Sequence, residues 1–141
     1  MFSVTEIAYL AGIIDGEGSF SIATAAQKHN SFGCHYIAQC NIINTNKDLM
    51  DWIIKKFGGH LYLRKKVKSF HKDNYALRII TKDLENIIKL TLPYLIVKRQ
   101  HAEVVLKFRQ TFDGKRSSLS EEIYKVRSEC FKQLKHLNSI G

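Results

Sequence analysis

A single carboxylate, Glu17, closes the stretch Leu10-Ala11-Gly12-Ile13-Ile14-Asp15-Gly16-Glu17-Gly18, and its surroundings suit a hard cation. Ala8, Gly12 and Gly16 recur every four residues, which on a helix makes one bare stripe. Such a stripe lets another backbone come close, as small-residue pairs do between packed helices. Gly16 and Gly18 are expected to break that helix and leave Glu17 beside its last carbonyls. Those carbonyls carry the negative end of the helix dipole and attract cations. A carboxylate oxygen next to a free backbone carbonyl is the oxygen ligation that magnesium accepts.

Charge widens the picture. Twenty-two Lys and Arg against thirteen Asp and Glu give +9, with a pI near 9.5. Lys55, Lys56, Arg64, Lys65, Lys66, Lys68 and Lys72 fall in one stretch without an acid. Clustered basic charge points to a polyanionic partner, bound with counterion release and weakened steeply by salt. The 141 residues, 45% hydrophobic, predict one domain with a real core. Its core is expected over about residues 3–112, with a C-terminal helix over about 119–139. No apolar run reaches the ~20 residues of a membrane span, and the N-terminus has no signal-peptide pattern; no membrane partner is expected. Cys34, Cys40 and Cys130 are an odd number without metal-ligand spacing, which predicts a reduced, intracellular setting.

The elements that must position Glu17 follow from periodicity. Ser3-x-x-Glu6 is a capping box, with Phe2 and Ile7 placed as a staple, so a helix is expected from about Val4 to Asp15. From Ser19 the period changes to two, with Phe20 and Ile22 alternating with Ser21, Ala23, Ala25 and Gln27. His29 and Asn30 lie in the following turn. A second strand, about Cys34 to Ile43, sets Tyr36, Ala38, Cys40 and Ile42 against His35, Ile37, Gln39 and Asn41. Asn46 opens a helix that Gly58-Gly59 stops. A third strand, about His60 to Lys68, presents Tyr62, Arg64, Lys66 and Lys68 opposite Leu61, Leu63 and Val67. A fourth, Asn74 to Thr81, presents Asn74, Ala76 and Arg78 opposite Tyr75, Leu77 and Ile79. Helices are expected over Lys82 to Thr91, Val97 to Phe112 (with Val97 inward) and Ser120 to Asn138.

This order predicts an α+β fold, αββαββα, with a four-stranded antiparallel sheet, helices on one face and extra C-terminal helices. The opposite face carries the polar set named above, which suits DNA better than a second apolar layer. Arg and Lys read guanine and Gln and Asn read adenine in the major groove, where strand ribbons fit.

The nonapeptide resembles the motif of the LAGLIDADG homing endonucleases, with LAGIIDGEG in its place and glutamate where the family name has aspartate. The element order matches as well, so the resemblance covers essentially the whole chain. Leu92-Pro93-Tyr94-Leu95, followed by Lys98-Arg99 and Ala102, looks like a family element near the active site. The resemblance implies that Glu17, helped by the Gly16 carbonyl, holds the catalytic Mg2+. Mn2+ would substitute, Ca2+ would bind without supporting cleavage, and no small-molecule cofactor is needed. It implies that Lys98 stabilises charge or helps activate water beside the cut. It also implies that Asn44, where Gln is common, orders active-site waters.

One motif supplies one metal-binding acid, yet a double-strand break needs chemistry on both strands. Two copies of the first helix packed across a two-fold axis would solve this and match a near-palindromic site. By resemblance the interface holds Ala8, Ala11, Gly12, Asp15 and Gly16. The resemblance then implies a homodimeric, intron-encoded endonuclease that binds a long double-stranded DNA site and cuts across the minor groove, leaving 3′ overhangs. The alternatives are a catalytically silent protein of the same fold (an RNA maturase or DNA-binding regulator) and an unrelated basic RNA-binding domain. A zinc site from His29, Cys34, His35 and Cys40 is disfavoured, because these residues alternate faces and lack paired-ligand spacing.

Overall fold

The capping box forms. Ser3 Oγ accepts from the Glu6 N–H at 3.1 Å, and Glu6 Oε1 accepts from the Ser3 N–H at 3.2 Å. It starts helix α1 (Val4–Glu17) in this computed structural model, which describes residues 2–26, 34–65, 73–112 and 120–140. Strands β1 (Gly18–Ala26) and β2 (Cys34–Asn44), helix α2 (Lys47–Phe57), strands β3 (His60–Arg64) and β4 (Asn74–Ile80) and helix α3 (Thr81–Thr91) follow. A 3-10 turn (Leu92–Tyr94), α4 (Arg99–Arg109) and α5 (Glu121–Ser139) complete the order.

α1 runs two residues past the expected end at Asp15. Gly16 is helical, and the last turn closes with the Gly18 N–H donating to Ile14 O. Gly18 is extended, at φ −86° and ψ 162°, a conformation open to any residue. Its value is space: a Cβ there would stand 2.8 Å from Ile14 O and 2.9 Å from Ile14 Cα. α2 is capped by Asn46, whose Oδ1 accepts from the Leu49 N–H at 3.0 Å. It ends at Gly58 and Gly59, whose φ of 93° and 111° only glycine adopts readily.

The sheet is antiparallel in the order β1-β2-β4-β3, so each hairpin keeps its partner and the two second strands meet in the middle. One face packs Phe20, Ala38, Cys40, Ile42, Leu77 and Ile79 against Leu10 and Ile14 of α1, Ile53 of α2, Ile88 of α3 and Phe108 of α4. α5 lies on α4 and along β1, inserting Cys130 and Leu134 and flanking the Tyr36 ring with Tyr124 and Phe131. Near its end, Asn138 Nδ2 donates to Phe20 O at 2.9 Å, occupying a carbonyl of the edge strand.

Other expected boundaries move as well. β3 extends to Arg64, and the rest of its expected span, from residue 66, lies outside the described residues. Thr81 leaves β4 and opens α3, with φ 53°. α4 starts at Arg99 rather than Val97, and Val97 is 67% exposed rather than inward. The backbone on either side of it is committed to Asp15.

Candidate active site and nucleic-acid face

The C-terminal turn of α1 gathers the residues on which the sequence placed chemistry. Once Gly18 N–H has closed on Ile14 O, the carbonyls of Asp15, Gly16 and Glu17 have no helical partner. Two clamps organise the side chains around them. In the first, the Asn46 N–H donates to Asn44 Oδ1 at 2.7 Å, which turns the amide nitrogen outward. Asn44 Nδ2 then donates to Glu17 Oε2 at 2.6 Å. The N-cap of α2 thus fixes Asn44, and Asn44 fixes Glu17. This leaves Glu17 Oε1 open, and the glutamate is exposed.

The second clamp is Asp15. Its Oδ2 accepts from the Ile96 N–H at 2.8 Å and its Oδ1 from the Lys98 N–H at 2.9 Å. Burial works to raise the Asp15 pKa. The N–H groups of Ile96, Lys98 and Val97 and the Lys98 charge outweigh it, and the carboxyl sits below its ordinary value. The segment is therefore held as a loop, which is why α4 begins two residues later than periodicity suggests. Lys98 Nζ returns to donate to Asp15 O at 3.2 Å, so the ammonium lies at the end of α1. Glu17, Gly16, Asn44 and Lys98 accordingly converge on one helix terminus.

Asp15 as a loop clamp was missed by sequence reasoning, which assigned it to an interface. The signal was present: a carboxylate in the last turn opposes the helix dipole and must find donors elsewhere. Asn46 was recognised as a cap but not as the group that orients Asn44. Lys98 is also neighbour to His101, whose pKa is lowered by burial and by the Lys98 charge despite a hydrogen bond to the Leu137 backbone.

One chain offers a cation the Glu17 carboxylate and the Gly16 carbonyl. Among the described residues no three His, Cys, Asp or Glu side chains cluster as ligands. This donor set fits magnesium, which takes one or two carboxylates and fills its remaining positions with water and phosphate oxygens. It does not fit zinc: Cys40 is fully buried, its thiol pushed up to about 12 by burial, and His35 faces the other side of the sheet.

That other side assembles the expected polar face. Ser21 and Gln39 are cross-strand partners, with Gln39 Nε2 donating to Ser21 Oγ at 3.0 Å. Ala23 pairs with Ile37 and Ala25 with His35. Asn41 pairs with Arg78, Tyr62 with Ala76 and Arg64 with Asn74. Gln27, His29, Asn30, Lys66 and Lys68 lie outside the described residues. Among the described residues, buried side-chain atoms without a hydrogen-bond partner are His35 Nδ1, Asn74 Oδ1, Arg78 Nε and His101 Nδ1. Three of these four lie on this one face. These atoms are themselves buried, and a buried polar atom left unpaired costs about 1–3 kcal/mol.

Along α1, Ala8, Gly12, Asp15 and Gly16 remain accessible, and nothing lies within 4 Å of where a Cβ on Gly12 or Gly16 would stand. Ala11 differs: it is fully buried in the chain's own core and is unavailable to a partner.

A LAGLIDADG endonuclease family model matches residues 10–112. No curated protein sequence matches significantly. Among solved structures, the archaeal intron-encoded homing endonuclease I-Vdi141I, complexed with DNA, is 19% identical with a TM-score of 0.71 over 96% of this chain and 94% of that one. The homing endonuclease I-CvuI, bound to its target in the presence of calcium, is 19% identical with a TM-score of 0.64, over 94% and 96%. The group I intron-encoded I-CeuI, complexed with DNA, is 18% identical with a TM-score of 0.73, over 95% and 69%.

Proposed function

This chain belongs to the LAGLIDADG endonuclease family, and from that premise we propose that it is a homodimeric homing endonuclease that cuts double-stranded DNA at a long, near-palindromic site. The observation that carries the proposal is the convergence of Glu17, Asn44 and Lys98 on the end of α1, in a chain whose sheet presents Gln39, Asn41, Arg64 and Arg78 on the face away from the helices. Hydrolysis of a phosphodiester needs a positioned water, charge stabilisation and help for the leaving oxygen. Magnesium, held by Glu17 and the Gly16 carbonyl, would polarise the phosphate and assist the leaving oxygen. The chain's own groups do the positioning. Asn44 keeps Glu17 in one orientation, Asp15 holds the loop that carries Lys98, and the Lys98 ammonium offsets charge developing on the phosphate.

The dimer is supported by the bare Gly12 and Gly16 stripe and by Ile96 and Val97, which are 86% and 67% exposed on the loop Asp15 holds. Two chains packed along α1 would bring two Glu17 groups together, one for each strand. Cuts across the minor groove, 3′ overhangs and an intron-encoded origin belong to the same proposal. So does the use of manganese in place of magnesium.

Cleavage selection on a tiled DNA library with magnesium, run beside Glu17→Gln, tests this. Gln retains an oxygen for the Asn44 amide, so shape survives while charge is lost. Discrete double-strand breaks from the parent and none from the variant are expected, with binding retained by both. Binding without breaks by the parent would favour a maturase or regulator, and cutting by Glu17→Gln at the parental rate would remove Glu17 from the mechanism.

A further inference from the structure

One helical turn after Lys98, in the first turn of α4, stands His101. We propose that His101 is a positioning residue for strand cleavage. Seated by the Leu137 backbone of α5, it offers a neutral imidazole nitrogen to the Lys98 ammonium and so keeps that cation in place. The inference rests on the cleavage function proposed above and on the role given there to Lys98.

Lys98 is the N-cap of α4, so His101, three residues on, neighbours it on the helix surface. Lys98 is half-buried, and its Nζ donates to Asp15 O at 3.2 Å. An ammonium has three N–H groups, so this bond leaves it others to give. A single acceptor also leaves a long, flexible side chain free to swing about that contact. A second acceptor would fix where the charge sits.

His101 supplies one. Its ring is half-buried and hydrogen-bonds the Leu137 backbone, a contact that favours the protonated ring and in which the ring therefore donates. Nδ1 is buried and has no hydrogen-bond partner, so the donor is Nε2–H and the lone pair of the neutral ring lies on Nδ1. Burial and the Lys98 charge both lower the pKa of this ring, which keeps it neutral at neutral pH. A buried lone pair is reached only from within the protein, and Lys98 is the cation whose charge acts on it. Pairing the two satisfies the acceptor and anchors the lysine at both ends of one small step. Leu137 lies outside residues 10–112, so the brace comes from a helix beyond the part of the chain that the family model matches.

The test compares the parent, His101→Phe and His101→Gln, each with Lys98 and with Lys98→Met, on the duplex that the cleavage selection recovers. Single-turnover rates with magnesium at saturating protein report the chemistry, and binding without divalent metal reports the complex. His101→Phe should slow cleavage by about tenfold or more with binding unchanged. The amide of His101→Gln can donate to Leu137 O and accept from Lys98, so it should restore most of the rate. In the Lys98→Met background His101→Phe should cost nothing further, because residues that act as a unit are not additive. A parental rate in His101→Phe, or an equal loss in both backgrounds, overturns the inference. Side-chain nitrogen NMR supplies a readout that needs no turnover. His101 should be the Nε2–H tautomer, and Lys98→Met should move its Nδ1 resonance toward that of a free imidazole nitrogen. A protonated Nδ1, or a resonance indifferent to Lys98→Met, overturns the inference and leaves the proposed function standing. A parent that cuts no duplex overturns the proposed function and this inference with it.

Discussion

Asp15 shows how one side chain sets another's place. Its two carboxylate oxygens each accept a backbone N–H from the Ile96–Lys98 loop, and that loop brings Lys98 to the end of α1. Asp15→Asn replaces one acceptor by an amide that must face a donor, so it should cost about 1 kcal/mol at this partly open site. The linkage to pH has a definite sign. A folded-state pKa below the ordinary value of 3.8 means that stability is fully present above about pH 4 and is lost as pH falls through the folded value. Acid titration followed by circular dichroism should show that loss in the parent and a flatter profile in Asp15→Asn. Equal profiles would mean that Asp15 carries no differential charge interaction.

At the scale of elements, the two motif glycines at the end of α1 serve different ends. Gly18 gives room to the turn into β1, and Gly16 leaves the outer surface of the helix bare. Gly18→Ala drives a methyl group against the Ile14 backbone, which cannot retreat without moving the helix. It should destabilise the chain by about 1–3 kcal/mol, measured by urea unfolding; a midpoint equal to the parent's would show that the turn relaxes freely. α4 offers a related lesson. Its apolar spacing continues back to Val97, but the Ile96 and Lys98 N–H groups turn to the Asp15 carboxylate, and α4 opens at Arg99.

For the whole molecule, the division of labour runs through the sheet. One face buries the core under the helices, and the other carries polar side chains, among them His35, Gln39, Asn74 and Arg78. Association is proposed along α1, where a Cβ on Gly12 would meet nothing within 4 Å outside its own helix turn. Gly12→Val therefore has space within the monomer, and its valine should block a second helix instead. Sedimentation should give a dimer for the parent and a folded monomer for the variant, whereas a variant dimer of parental affinity would move the interface elsewhere.

The fold class, the capping box, the faces of β1, β2 and β4 and the position of Glu17 at the end of α1 were legible in the sequence, because they depend on local spacing and short-range hydrogen bonds. The family resemblance added Lys98, through the element Leu92–Ala102, and Asn44, through its place after the second strand, with roles that composition alone could not assign. Tertiary structure decided what depends on contacts distant in the chain. It placed the Asp15 carboxylate on a loop more than eighty residues away and oriented Asn44 on Glu17 across twenty-seven. It also moved Ala11 from an expected interface into the core and laid the last turn of α5 beside β1. Periodicity reports which way a side chain faces. Only the folded chain fixes which donor, acceptor or surface it meets there.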